Sequence, residues 1–133
     1  DSKMIKYKNR IKQVLDFNGV GNSKIHPSDI DAILEFDNKY LIIFEVKLKG
    51  VQVPVGQKLL FERLADCWQE KNGEAFVVYC EHETETSEII NMVNTTVKKV
   101  YNNKKNFVRN QNIREFLQTL AEHYKINKLK KAL

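Results

Sequence analysis

The chain has 133 residues, 42% hydrophobic and 29% charged, with a formal net charge of +5. This length fits one domain over 1–133, and the balance excludes a disordered, collagenous or fibrous chain. Apolar stretches such as Tyr40 to Phe44 fall far short of the ~20 residues of a membrane span, and no stretch reads as a secretory signal. Two cysteines, Cys67 and Cys80, lack metal-ligand spacing; they argue against zinc and for a reducing, intracellular setting, cytoplasmic or nucleoid-associated.

In chain order, residues 3–17 predict a helix, with Met4, Ile5, Tyr7, Ile11, Val14 and Leu15 near helical spacing and Asn18-Gly19 as its stop. A polar connector carries His26 to Pro27. DIDAILEF (29–36) and YLIIFEVK (40–47), joined by Asp37-Asn38-Lys39, predict a β-hairpin. A helix follows over 55–71, with Leu60, Phe61, Leu64, Cys67 and Trp68 expected to face the core. The apolar run AFVVYC (75–80) predicts a buried strand. A short helix is expected over 86–94, a strand over 96–101, a loop at 102–106, an amphipathic helix from 112, and then a basic tail.

The hairpin fixes which side chains meet. Placing Ile30, Ala32, Leu34 and Phe36 on the same face as Tyr40, Ile42, Phe44 and Val46 requires paired residue numbers with an even sum, and the three-residue connection sets that sum at 76. Asp31 then lies opposite Glu45 and Asp29 opposite Lys47, with directly opposed Cβ atoms about 4.5–5.5 Å apart. Two adjacent carboxylates repel, so they call for a cation, a raised pKa or good solvation. Hard oxygen ligands at this spacing suit Mg²⁺ or Mn²⁺, which would acidify a bound water and polarise a phosphoryl oxygen, with Lys47 beside it. As an alternative, the four charges form a solvated cluster at a strand end. The flanking segments are too apolar for a sheet edge, which favours a buried, working site.

Charge is segregated along the chain. Residues 1–12 carry +4 and 98–133 carry +8, while 13–97 carry −7. A basic protein with an acidic focus suits a metal-dependent enzyme acting on a polyanion.

The segment PSDIDAILEFDNKYLIIFEVK (27–47), followed by the helix that opens GQKLLFERL, resembles the PD-(D/E)xK nuclease superfamily. The resemblance covers about two thirds of the chain. It implies an α/β fold with a restriction-endonuclease-like core, a mixed central β-sheet in α-β-β-β-α-β order flanked by helices, here with an added C-terminal helix. It further implies that Asp31, Glu45 and the backbone carbonyl of Val46 hold the metal and that Lys47 assists catalysis. Pro27 is followed by Ser28 before Asp29, and Asp31 has the side-by-side geometry with Glu45. Asp29 is kept as the alternative ligand or as a supporting group. Gln57, opening the second helix, matches a glutamine that points into the site in families similar to VRR-type nucleases and junction resolvases. Lys49 and Lys58 are expected to contact phosphate.

The implied activity is a Mg²⁺- or Mn²⁺-dependent DNA endonuclease of the structure-specific or junction-resolving type found in phages and mobile elements, acting as a homodimer and without a membrane. Two other readings stay open: a non-catalytic nucleic-acid-binding module on the same fold, and a protein-interaction domain.

Overall fold

The computed structural model describes residues 16, 18–22, 24, 27–71 and 73–133. The helix expected over 3–17, save Asp16, and the residue His26 lie outside them. The described chain is α/β: a five-stranded mixed sheet and three helices. It consists of β1 (Ala32–Phe36), β2 (Tyr40–Leu48), α1 (Val55–Lys71), β3 (Glu74–His82), β4 (Thr96–Asn102), β5 (Lys105–Asn112), α2 (Ile113–Tyr124) and α3 (Asn127–Ala132). Strands lie in sequence order across the sheet, with β2 and β3 parallel and all other neighbours antiparallel. A parallel pair needs a crossover, and α1 supplies it.

The hairpin register is the one burial selects: Ala32 faces Phe44, Leu34 faces Ile42 and Phe36 faces Tyr40. Asp37 and Asn38 take left-handed backbone (φ 54° and 59°), which these two residue types tolerate best after glycine. Alternation divides the sheet into two cores. Ile42, Phe44, Phe76, Val78, Cys80, Val97 and Val100 pack beneath α2 and α3, while Ile43, Ala75, Val77, Tyr79 and Tyr101 pack beneath α1.

Several expectations change. Two described strands, not three, precede α1, because Lys49 and Gly50 turn and 51–54 form an irregular connector. β1 is an edge strand, so Ile33 is 47% exposed. Helix α1 turns Phe61 and Ala65 to the sheet, with Trp68 beside them, and leaves Leu60, Leu64 and Cys67 exposed. The span 86–94 forms only a 3₁₀ turn at Met92–Asn94. The loop placed at 102–106 is a tight turn, with Asn103 and Lys104 at φ 51° and 60°, and it leads into β5. The basic tail folds as α3 because Ile126 and Leu129 are buried against the α2 side of the sheet.

One close approach fixes the base of the crossover. Gly73 has φ +142°, and a Cβ there would sit 2.5 Å from the carbonyl oxygen of Lys39. That carbonyl accepts from the Glu74 N–H at 2.9 Å and the Trp68 indole at 3.3 Å. The hairpin turn and the end of α1 are thereby tied to the start of β3.

Candidate functional site

The site lies where the C-terminal half of β2 meets the start of α1, the side on which open α/β sheets commonly bind ligands. Glu45 sits on a strand flanked by neighbours on both sides, in register with Tyr79 of β3, and its side chain points to the α1 face. It is 1% exposed in a row otherwise filled by Ile43, Val77 and Phe61. Its Oε1 meets Lys47 Nζ at 3.2 Å, two residues along the same face. Its Oε2 is buried and has no hydrogen-bond partner among the described residues.

Asp31 supplies the second carboxylate. The ladder between β1 and β2 stops at Ala32, and one residue earlier the Asp31 side chain takes over: its Oδ2 accepts the Val46 N–H at 2.7 Å. In an extended strand the N–H and C=O of one residue point to the same side, so the Val46 carbonyl faces the edge occupied by Asp31. Burial, and then the Asp31 carboxylate, raise the Glu45 pKa above the ordinary 4.5, against the lowering effect of Lys47. The expected rungs of Asp31 with Glu45, Ile30 with Val46 and Asp29 with Lys47 are not made, because the ladder ends at Ala32; the Asp31 and Glu45 carboxylates still lie close enough to interact.

Gln57, in the first turn of α1, donates from Nε2 to the Asp29 carbonyl at 3.4 Å, and its Oε1 is buried without a partner among the described residues. Two buried side-chain oxygens without partners, on Glu45 and Gln57, are thus linked through the 29–31 segment. Buried polar atoms are nearly always satisfied, so these two oxygens are free to accept from, or ligate, a further group.

The other expected residues divide. Lys58 follows Gln57 on α1 and lies against Lys99 of β4. Lys49 instead pairs with Glu83 at 3.0 Å and lines a separate hollow with Glu81, Thr96, Lys98 and Asn110. Cys80 is buried, and burial pushes its thiol up to about 12, so it is a core residue. His82 accepts the Thr84 N–H at 3.1 Å, and His123 stacks edge-on with Tyr124.

Three residues at the site were not singled out from the sequence. Tyr79 donates its hydroxyl to Glu62 of α1 at 2.8 Å, and Lys99 Nζ lies 4.8 Å from the centre of the Tyr79 ring. Residues 45, 79 and 99 form one row across β2, β3 and β4. Simple alternation does not reveal Lys99, because the irregularity between Val97 and Lys99 shifts the face that each β4 residue takes.

The donor set can be tested against a cation. Among the described residues no group of three or more His, Cys, Asp or Glu side chains is gathered for a metal. What is gathered is two carboxylates, one of them buried with an unpartnered oxygen, and a carbonyl facing the same edge. Hard oxygens in that number fit Mg²⁺, which keeps several waters and completes its shell with substrate phosphate. Two cavities lie elsewhere: one of about 380 Å³ lined by Phe76, Phe107, Arg109 and Tyr124 among others, and one of about 370 Å³ around Leu64 and Trp68. Comparison with protein-family models, curated proteins and solved structures gives no match. Among the described residues no helix is long and apolar enough to cross a membrane.

Proposed function

We propose that the chain is a metal-dependent DNA endonuclease with a restriction-endonuclease-like core, intracellular, acting on structured or junction DNA as a homodimer. The observation that carries this reading is the buried Glu45 carboxylate, one oxygen without a partner among the described residues, held beside the Asp31 carboxylate at the rim of the sheet. Asp31, Glu45 and the Val46 carbonyl would hold Mg²⁺ or Mn²⁺. A bound divalent cation supplies Lewis-acid polarisation of a phosphoryl oxygen and a more acidic water.

The chain's own groups do the rest. Glu45 Oε1 fixes the Lys47 ammonium, which is 29% exposed and therefore reaches solvent and substrate. There it balances the charge that develops on the phosphate as the bond is broken. Gln57, anchored to the Asp29 carbonyl, keeps the 29–31 segment against the start of α1 and so holds Asp31 in place. The basic ends of the chain, +4 over 1–12 and +8 over 98–133, supply long-range attraction for a polyanion. Exposed Lys105 and Arg109 on β5 and Lys130 and Lys131 on α3 belong to that basic surface.

The test is cleavage of labelled duplex, branched and single-stranded DNA, and of RNA, with Mg²⁺, Mn²⁺ or chelator, alongside Lys47→Ala. Cleavage is expected with either metal, none with chelator, and a loss of about 10²–10⁴-fold in the variant. A protein that binds the panel but never cuts it, even with Mn²⁺, is a non-catalytic nucleic-acid-binding module. Binding of none of these ligands rejects the nucleic-acid reading altogether.

A further inference from the structure

We propose that Lys99, whose ammonium lies over the ring of Tyr79, and Lys58 beside it form a phosphate-binding subsite that grips the nucleic-acid backbone next to the Asp31 and Glu45 carboxylates. This rests on the nuclease reading above and extends it to how the substrate strand is held. Lys99 reaches the site from β4, two strands from Glu45 in the same row, so the backbones are about 9.5 Å apart. Lys58 reaches it from the first turn of α1, where there is no acidic residue and the positive end of the helix favours anions.

Both lysines are only partly exposed. Among the described residues neither has a carboxylate within ion-pairing distance. Glu62, the nearest acid on α1, already accepts the Tyr79 hydroxyl, and the face of that ring carries the Lys99 ammonium. Burial, and then the adjacent Lys58, lower the Lys99 pKa, while Glu62 opposes them weakly. Two neighbouring ammonium groups repel, and a phosphate placed between them removes that repulsion and accepts charge-assisted hydrogen bonds from both. The Tyr79–Glu62 hydrogen bond keeps the ring, and so the Lys99 stem, in place.

The test uses the full chain and a short DNA duplex, with chelator present so that nothing is cut. In the wild type, NMR titration of the lysine side chains is expected to show the Lys99 midpoint below the ordinary lysine value and rising when DNA is added. Inorganic phosphate at matched phosphate concentration is expected to move it far less. The double variant K58M/K99M, which keeps the apolar stems, is expected to bind DNA about tenfold more weakly. Its salt dependence is expected to be shallower by about 0.9 in the slope of log affinity against log salt. A Lys99 midpoint that ignores DNA, or follows free phosphate equally, overturns the subsite. So does an unchanged salt slope in a folded double variant. If the wild type also cuts DNA in Mg²⁺ in that case, the nuclease reading survives without the subsite. A Lys99 response without any cleavage leaves the subsite standing as part of a binding module.

Discussion

Replacing Glu45 by Gln separates a metal-binding carboxylate from a structural one, because the two roles give opposite signs of stability change. In the folded chain without metal, the Glu45 charge is buried, faces Asp31 and leaves Oε2 without a donor. A glutamine amide removes the repulsion and can donate to the Asp31 carboxylate. An unsatisfied buried group costs about 1–3 kcal/mol, and the lost pair with the part-exposed Lys47 gives back at most about 1 kcal/mol. Glu45→Gln should therefore stabilise the metal-free fold at pH 7 by about 1–2 kcal/mol, raising Tm by about 4–8 °C.

The pH dependence carries a definite sign. The folded-state pKa of Glu45 lies above its ordinary 4.5, so between those two values the folded chain binds more protons than the unfolded one. Stability from this group falls as pH rises through that interval and returns on acidification; Glu45→Gln removes the slope. Adding about 10 mM Mg²⁺ to a site with a Kd of about 1 mM should stabilise the wild type by about 1.4 kcal/mol and leave Glu45→Gln unaffected. Thermal melts from pH 4 to 8, with and without Mg²⁺, measure all three effects. A variant less stable than the wild type at pH 7 without metal, or one that Mg²⁺ stabilises equally, refutes the argument.

Three further outcomes follow from the same contacts. Asp31→Asn keeps an acceptor for the Val46 N–H but removes the facing charge, so the Glu45 carboxyl should titrate closer to 4.5 by ¹³C NMR while cleavage falls at least about 100-fold. Gly73→Ala forces a side chain into left-handed backbone against the Lys39 carbonyl and is expected to cost about 2–3 kcal/mol in urea unfolding; an unchanged midpoint would contradict that close approach. With a thiol reagent, exposed Cys67 should react in the native protein and Cys80, pushed up to about 12, only on unfolding. Equal rates would mean that the β3 core opens freely.

Helix α1 and strand β5 show where local patterning stops being informative. Both Leu60 and Phe61 lie on the apolar arc that the sequence offers, and which of them is buried depends on how the helix is rotated over the sheet. Phe61 and Ala65 fit the narrow space above Ile43 and Val77, which leaves Leu60 and Leu64 outside. β5 reads as polar, KNFVRNQN, with Val108 86% exposed, and it becomes a strand because β4 presents an open edge and the Asn103-Lys104 turn leads back along it. Its Lys105 and Arg109 suit an edge that must not pair further.

The alternation of two short segments around Asp37-Asn38-Lys39 was enough to set the hairpin register, since a slip by one residue would turn every buried side chain of β2 outward. That register by itself puts Asp31 and Glu45 on the same face. Tertiary structure alone decided that Glu45 is buried with an oxygen unpartnered, that the Asp31 side chain replaces the last rung of the ladder, and that Lys99 comes beside Lys58. These outcomes depend on strand order, on a bulge and on the angle of a helix. Each is fixed by packing between elements distant in sequence, to which the periodicity of a single segment is blind.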